Sequence, residues 1–347
     1  MKLHVDYTRA ESIFNVLLER LKEKKFPYDR DLELVPDKIF EHFEPRSIQH
    51  ALFLFCACYY MRGGIKSSTA IMSLSNVCDA HPEFFIPEYI SEIKSTDEEN
   101  KLIKKMMGVL QDNGLAFNAS VIPKFWIRNF QKLHTFWNGN PMSLLKSTNS
   151  YKKTCEIISN KGTFSSAHPN GFYGFQEKMV SMLIYFYIHA EIVDSATFPI
   201  PIDFHVLRIM VAHKIITKGK YKENKNFFGD EILKKARSLS VRYCKNNNIS
   251  SKELSDALWF LSRDLCGTHP GNESHIGPYK ARKTEIQPIK VIWNKSQVQA
   301  FNKSCLLCPI EKTCCFNIPS ANYYRQGKLI TRGLRGKPAQ MYLFTGI

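Results

Sequence analysis

The chain has 347 residues, of which 44% are hydrophobic, a share that supplies a substantial core and excludes global disorder. Its 48 lysines and arginines exceed its 32 acidic residues, for a formal charge of +16. We therefore expect a polyanionic partner, with nucleic acid favoured over an anionic membrane surface. A membrane span is excluded, because the longest apolar run, Ala51 to Met61, has 11 residues, and roughly 20 are needed to cross a bilayer.

Four long apolar segments without frequent glycine or proline predict helices. In chain order they are Ile48–Tyr60, Phe125–Trp137, Met179–Ile192 and Leu254–Leu265. Alternating strand patterns with hairpin turns are scarce, and no repeat of solenoid period occurs. The sequence therefore predicts a mainly α fold.

Polar segments between these helices predict loops. They are Lys94–Lys101, Ser147–Asn170, Lys218–Lys225 and Cys266–Lys283. The last 25 residues, Tyr323 to Ile347, carry five lysines or arginines and no acidic residue. This basic tail is predicted to be either an arm that contacts nucleic acid or a solvated terminus.

Three cysteines near the C-terminus have the spacing of a metal-binding loop. Cys305, Cys308 and Cys314 form a C-x2-C-x5-C pattern, which lets three thiolates face one metal centre. Cys266, at the end of an apolar helix, is the predicted fourth ligand, since loop-closure entropy grows only with the logarithm of loop length. A [4Fe–4S] cluster is the favoured occupant. A four-thiolate zinc site and buried thiols are the alternatives, and Cys315 could replace Cys314.

These cysteines and two upstream segments together resemble a known family. The helix before Cys266 and the C-x2-C-x5-C pattern are similar to the cluster loop of the helix-hairpin-helix DNA glycosylases of the endonuclease III and adenine-glycosylase type. The first gap between ligands is much shorter in that family than the 38 residues here, so Gly267–Ser304 is predicted to be an insertion. Phe172–Leu183 resembles the hairpin motif L-P-G-V-G-x-K-T-A, and Pro201–Ile209 resembles the V-D-T-H-V-x-R segment. The resemblance covers about residues 45 to 315 in family order.

The resemblance implies chemical roles for two residues. Asp203 would be the catalytic aspartate, which stabilises the positive charge that builds on the deoxyribose ring as the glycosidic bond breaks. From its position alone, Asp203 is also an ordinary helix N-cap. Lys178 would attack C1′ as a neutral amine and form a Schiff base, which permits strand cleavage by β-elimination. If Lys178 does not act, water is the nucleophile and the protein is a monofunctional glycosylase.

The resemblance also implies a set of DNA contacts. The hairpin backbone around Gly174 and Gln176 would present N–H groups to a phosphate. Here Tyr173 stands where the family has proline, and Gln176 stands where it has a second glycine. The other expected DNA-binding residues are Arg62, His205, Arg208, Lys303 and Lys312.

A wedge or aromatic wall is expected beside the base, because the target base must leave the stack before it can react. The candidates are Tyr59, Tyr60, Met61 and Arg62, which precede Gly63-Gly64. Core packing is the alternative for the two tyrosines.

The expected fold is a two-lobed helical HhH-GPD-like fold with a C-terminal iron–sulfur cluster loop. Five parts are expected along the chain. They are an N-terminal extension (1–45), a helical barrel-like lobe (46–170, with an insertion near 147–170), the helix-hairpin-helix and aspartate segment (171–216), a second helical lobe with the cluster and an insertion (217–316, insertion 267–304), and the basic tail (317–347).

The expected function is that of a DNA glycosylase that acts as a monomer on double-stranded DNA with a flipped-out base, and that removes a damaged or modified base. One alternative is a non-catalytic iron–sulfur nucleic-acid-binding protein on the same scaffold, favoured by the altered hairpin. Another is a glycosidase acting on a modified nucleoside or RNA, favoured by the insertions. The opening residues lack the apolar segment of a signal peptide. We therefore expect a protein of the cytoplasm (at the nucleoid) or the nucleus.

Overall fold

The structure of the chain is a computed structural model. It describes residues 3–29, 43–61, 65, 67–146, 150–159, 171–194, 197–218, 229–265, 288–290, 307–314, 323–325, 327–332 and 338–343. The helices are α1 (Tyr7–Lys22), α2 (Ile48–Ala57), α3 (Ser67–Ala80), α4 (Pro87–Ser91), α5 (Thr96–Asp112), α6 (Ile122–Trp137), α7 (Ser143–Lys146), α8 (Tyr151–Ile158), α9 (Glu177–His189), α10 (Phe204–Ala212), α11 (Gly229–Asn247) and α12 (Ser251–Phe260). The strands are β1 (Leu3–Val5), β2 (Ile216–Lys218), β3 (Pro288–Lys290), β4 (Tyr323–Arg325), β5 (Gly327–Arg332) and β6 (Pro338–Leu343).

The mainly α fold predicted from the sequence is confirmed, and the four predicted helices lie where expected. Helix α2 continues into a 3-10 turn over Cys58–Tyr60, and α12 continues into a π-helical turn over Leu261–Leu265. Helix α6 begins a few residues early because Pro123 is suited to the first turn of a helix. Among the described residues, no helix combines the length and the apolar character that a bilayer crossing requires.

Two segments predicted as loops contain helices, and serine caps explain both. In the first, Ser95 and Glu98 form a capping box: the Glu98 N–H donates to Ser95 Oγ (3.2 Å), and the Ser95 N–H donates to Glu98 Oε2 (3.1 Å). In the second, Ser150 Oγ accepts from the Lys153 N–H (3.3 Å) at the start of α8. The prediction of continuous loops over Lys94–Lys101 and Ser147–Asn170 was therefore wrong, because polar residues that favour loops also cap helices.

The basic tail contains paired strands. Strands β5 and β6 are antiparallel, with Gly327 opposite Leu343 and Arg332 opposite Pro338. Strand β4 pairs with β3. Strand β5 lies against α11, and β6 lies against α10. The described part of the tail is thus folded onto helices, which differs from a solvated terminus, one of its two predicted alternatives. Contact of the tail with nucleic acid stays a prediction.

The chain forms two compact units, which we call the terminal unit (Met1–Leu32 with Ile202–Ile347) and the central unit (Glu33–Pro201). In the central unit, α2, α3, α5, α6 and α9 enclose an aromatic core, in which the Trp126 ring lies 4.9 Å from Phe85 and 5.9 Å from Tyr59. In the terminal unit, α1 packs on α12, and Phe14 meets Tyr243 edge-on at 5.0 Å.

The unit boundaries differ from the parts drawn along the sequence. Strand β1 pairs with β2, with Leu3 opposite Lys218, so the N-terminal residues are built into the terminal unit, not appended to the molecule. The segment 171–216, expected as one helix-hairpin-helix and aspartate segment, divides between the units after Pro201.

Candidate functional site

The first candidate element is the hairpin turn, by which we mean residues 171–175 between α8 and α9. Its entry runs alongside the end of α8. The Gly171 N–H donates to the Ile157 carbonyl (2.7 Å), and the Phe172 N–H donates to the Ile158 carbonyl (2.9 Å). The turn therefore starts from a fixed position on the preceding helix.

Aromatic residues inside the hairpin turn anchor it to the core of the central unit. The turn closes where the Phe175 N–H donates to the Phe172 carbonyl (3.0 Å), and Gly174 takes a φ of +86°, which L side chains rarely adopt. The Phe175 ring stacks on Phe55 with centroids 4.5 Å apart, and Phe172 meets the same ring edge-on at 5.6 Å. Burial of these rings holds the turn by packing.

The turn leads directly into the N-terminus of α9. Gln176 is the N-cap residue: it is exposed and its side chain makes no capping hydrogen bond. The first turn of a helix leaves N–H groups without intrahelical partners, and the helix dipole is positive there. The expected role of Gly174 and Gln176 in phosphate contact is compatible with this geometry. Glu177 is the acidic residue of the first turn.

Lys178 lies in that first turn and is half-buried. Its Nζ donates a hydrogen bond to the Met61 carbonyl (3.2 Å), at the end of the 3-10 turn that follows α2. The amine thus ties α9 to the segment that leads to residues 62–64. To act as a nucleophile, Lys178 must leave this carbonyl and lose a proton.

The expected wedge residues are buried. Tyr59 and Tyr60 are each 1% exposed, and Met61 is 7% exposed. Tyr59 packs on Trp126, and burial raises the pKa of Tyr60 well above its usual range, with Cys56 as a second cause. A wedge made of these three side chains was therefore the wrong prediction, because all three belong to the core. Arg62 lies outside the described residues.

Asp203 stands at the start of α10 in the terminal unit. Its Oδ1 accepts from the Val206 N–H (3.1 Å), and its carbonyl accepts from the Leu207 N–H (3.0 Å), so the predicted N-cap is confirmed. Within the described part of the chain, Oδ2 has no hydrogen-bond partner. One carboxylate oxygen is therefore bound to the helix, and the other is unbound among the described residues. Lys178 belongs to the central unit.

The residue two positions after Asp203 connects α10 with the end of α12. His205 Nδ1 lies 3.3 Å from Ser262 Oγ, and its ring meets Trp259 edge-on at 6.2 Å. Ser262 lies in the π-helical turn, a distortion that is frequent at functional sites. In the same turn, Arg263 lies over the Trp259 ring (4.6 Å) and pairs with Asp264. His205 thus contacts the turn that precedes Cys266.

The other expected DNA contacts are only partly placed. Arg208 lies in α10, and its side chain lies outside the described residues. Lys303 also lies outside them. Lys312 is exposed, in a 3-10 turn over Glu311–Thr313.

That 3-10 turn belongs to the cysteine loop, by which we mean residues 307–314. Cys308 and Cys314 flank the turn, and both are half-buried. The Cys308 carbonyl accepts from the Glu311 N–H (3.1 Å), and the Cys314 N–H donates to the Glu311 carbonyl (3.0 Å). These bonds place two of the four expected ligands at the two ends of one turn. Cys266 and Cys305 lie outside the described residues, among which no group of three metal-ligating side chains occurs.

A buried histidine that sequence reasoning missed joins α10 to the cysteine loop. His213 Nδ1 lies 2.8 Å from Thr313 Oγ1, which in turn donates to the Ile310 carbonyl (3.0 Å). His213 is 2% exposed. Burial, with a smaller effect from Arg9, lowers the pKa of His213 to about 3, so the ring is neutral at pH 7. No local pattern marks this contact, because its partners are 100 residues apart.

Comparisons with known proteins give similarity to solved structures at low sequence identity. The chain matches no protein-family model and no curated protein sequence. It is similar to the solved structure of an 8-oxoguanine glycosylase/lyase from Methanocaldococcus jannaschii in complex with a 15mer DNA containing 8-oxoguanine, with a TM-score of 0.42 and 15% identity. The match covers 71% of this chain and 96% of that chain.

Proposed function

We propose that this protein is a DNA glycosylase that removes a damaged or modified base and that uses Asp203 as its catalytic carboxylate. The observation that carries the proposal is the state of that carboxylate. Its Oδ1 caps α10 while Oδ2 is uncommitted within the described residues. An aspartate held in place by its own helix can direct the second oxygen at C1′ of a deoxyribose and stabilise developing positive charge there.

DNA binding is assigned to the hairpin turn and the start of α9. The exposed N-cap Gln176 and the N-terminal N–H groups form a site with the polarity that a phosphate requires. The formal charge of +16 supports association with DNA through release of counterions. The target base would have to leave the duplex stack before Asp203 could act on its sugar, at a cost of a few kcal/mol.

The experiment is base release from duplex oligonucleotides that each carry one damaged or modified base, read as abasic sites. Asp203→Asn should keep DNA binding and lose base release by about a thousandfold or more, because asparagine caps a helix as well as aspartate but carries no charge. Asp6→Asn is the matched control: Asp6 caps α1 of the same unit by accepting from the Arg9 N–H (2.9 Å). Full base release by the Asp203→Asn protein would reject the assignment.

Lyase activity through Lys178 is the finer part of the proposal. Borohydride should trap a covalent complex between the protein and an abasic-site duplex. Lys178→Gln should abolish the trapped complex, whereas Lys153→Gln, which removes an exposed lysine from α8, should leave it intact. If no complex is trapped in any variant while bases are released, water is the nucleophile.

We further propose that Cys308 and Cys314, with Cys266 and Cys305, hold a [4Fe–4S] cluster. The thiols at both ends of the 3-10 turn fit such a group in chemistry and in their partial exposure. The cluster would supply structural cross-linking of a segment with few core contacts of its own. Visible absorbance and iron analysis of the anaerobically purified protein test this, and zinc in place of iron would favour the alternative metal.

A second candidate function is a non-catalytic nucleic-acid-binding protein. It is favoured by the altered hairpin, in which Tyr173 and Gln176 stand where the family motif has proline and a second glycine. This candidate predicts salt-dependent binding to duplex DNA, no release of any base, and no change in that binding beyond a single-charge effect in the Asp203→Asn protein.

A further inference from the structure

We propose that Asn129 and Lys132, on the inner face of α6, are positioning residues that hold the hairpin turn in the shape needed to contact a DNA phosphate. The two side chains are three positions apart, so they lie on the same face of the helix. Both reach the backbone of the hairpin turn. We call them the Asn129–Lys132 clamp. Its DNA-binding consequence rests on the function proposed above.

Asn129 pairs with Tyr173 as a neighbouring strand would. Its Oδ1 accepts from the Tyr173 N–H (2.7 Å), and its Nδ2 donates to the Tyr173 carbonyl (2.8 Å). The second Nδ2 proton goes to the Tyr59 hydroxyl (2.8 Å). The complementary donor and acceptor on Tyr173 define the orientation of the amide. Asn129 is fully buried, so its amide has no access to bulk water. The hydrogen bonds to Tyr173 and Tyr59 therefore satisfy polar groups that would otherwise lack a partner.

Lys132 binds the entry of the same turn. Its Nζ donates to the Gly171 carbonyl (2.9 Å) and lies 5.0 Å from the centroid of the Tyr173 ring. The residue is 8% exposed, and burial lowers the pKa of its ammonium. Burial of an ammonium group costs free energy unless polar partners accept its hydrogen bonds. The carbonyl and the ring face are those partners, so this lysine is specific to the turn and unlike the many exposed lysines of the chain.

The turn needs this support because its backbone has unusual freedom. Gly171 and Gly174 have φ values of +89° and +86°. Glycine reaches such values without strain, but it also has the largest choice of other conformations. A proline at position 173 would restrict φ but would lack the N–H that Asn129 accepts. Side-chain bonds from α6 therefore restrict the segment in a different way.

The consequence of the clamp lies in the N-terminus of α9. Gln176 comes one residue after the turn, and its carbonyl accepts the N–H groups of Met179 (2.7 Å) and Val180 (3.0 Å). A turn held at positions 171 and 173 fixes the direction in which α9 begins, and with it the direction of the first N–H groups. Anion binding by such groups depends on their convergence on one point.

The test combines hydrogen exchange of the DNA-free protein with affinity for a fluorescein-labelled duplex that carries a tetrahydrofuran abasic analogue. Lys132→Met keeps an unbranched side chain that is one heavy atom shorter and removes the donor. Lys124→Met is the matched control, since Lys124 is an exposed lysine of the same helix, and both changes lower the net charge by one. Lys132→Arg keeps a donor and should restore part of the effect. Asn129→Leu removes all three hydrogen bonds of the Asn129 side chain, two to Tyr173 and one to Tyr59.

The expected result has two parts. In Lys132→Met, exchange in the peptide 171–178 should be about tenfold faster than in Lys124→Met, because one buried hydrogen bond is lost. DNA affinity should fall about fivefold further than in the control, and Lys132→Arg should recover part of that loss. Circular dichroism and the exchange of α2 and α11 peptides should be unchanged, which separates positioning from unfolding.

Each other outcome is decisive. Unchanged exchange in the peptide 171–178 for both Lys132→Met and Asn129→Leu would overturn the clamp, whatever the DNA result. Faster exchange with DNA affinity equal to the Lys124→Met control would overturn the clamp's role in phosphate contact. If the unmodified protein binds no duplex DNA, the proposed function fails, and exchange in the DNA-free protein still decides whether the clamp exists.

Discussion

The hairpin turn and the cysteine loop are both short irregular segments, but they are held in different ways. The hairpin turn buries two phenylalanines almost completely and receives side-chain bonds from α6. In the cysteine loop, Ile310 is 4% exposed while Leu307 is 57% exposed, and Thr313 contacts His213. The first segment is held by the core of its own unit. The second has little core of its own, and we expect it to depend on a metal centre.

This difference has a physical reason. A segment that buries large aromatic rings gains enough free energy from packing to remain ordered without a ligand. A loop with one buried apolar side chain does not, because fixing each residue costs about 1–2 kcal/mol of conformational entropy. Cysteines at both ends of a turn are a common means of ordering such a loop.

The largest expected effect comes from breaking the cysteine loop. Cys308→Ser should remove the visible absorbance and the bound iron, and hydrogen exchange in residues 307–314 should become fast, because metal ligation contributes on the order of 10 kcal/mol to the order of small metal-bound segments. Exchange in the peptide 171–178 should not change. Cys78→Ser, a half-buried cysteine of the central unit, is the control. Slow hydrogen exchange in the cysteine loop without metal would show that this loop, like the hairpin turn, is held by packing alone.

The next effect comes from the hairpin turn. Asn129→Leu should lower the free energy of unfolding by about 3 kcal/mol, since three buried hydrogen bonds of about 1 kcal/mol each are lost. Urea titration followed by circular dichroism measures this change. Thr135→Val, on the exposed face of α6, should alter it by less than about 0.5 kcal/mol. Equal effects of the two substitutions would show that the hydrogen bonds of the Asn129 side chain do not hold the hairpin turn.

Acid should release the cysteine loop through His213. The folded-state pKa of His213, about 3, lies below the unfolded value of 6.5, so the unfolded chain binds the proton more readily. The stability of the folded state is therefore undiminished above about pH 6.5 and falls as the pH drops towards 3. At pH 5 the loss is about 2 kcal/mol. The difference in unfolding free energy between pH 7 and pH 5 should be smaller in His213→Asn than in the unmodified protein, by about 2 kcal/mol. The same difference in the two proteins would show that protonation of His213 does not destabilise the folded state.

The smallest effect concerns charge at the start of α9. Glu177→Gln should raise the affinity for duplex DNA by about two- to fivefold. The Glu177 carboxylate competes with a DNA phosphate for the positive end of the helix dipole, and one charge there is worth about 0.3–1 kcal/mol. Glu92→Gln, an exposed residue of the central unit, gives the effect of one unit of charge elsewhere. Fluorescence anisotropy at fixed salt measures both. The same affinity in the two variants would place the DNA phosphate away from α9.

Much of the helical framework could be predicted from the sequence because its signals are local. The apolar run before Tyr60 predicted α2, and Asp203 before an apolar segment predicted the start of α10, where Oδ1 caps the helix. The start of α5 was missed, although the Ser95–Glu98 capping box is visible in the sequence. The candidate roles of Asp203, Lys178 and the cysteines come from motif order and stay predictions.

The sequence by itself determined where helices form, where serine and aspartate cap them, and that the chain is basic, since these properties depend on neighbouring residues or on composition. Only the tertiary structure decided which polar side chains are buried. Asn129 and Lys132 meet residues 44 and 39 positions away, and His213 meets one 100 positions away. Such contacts depend on how helices pack, and packing brings together residues whose local patterns carry no sign of one another.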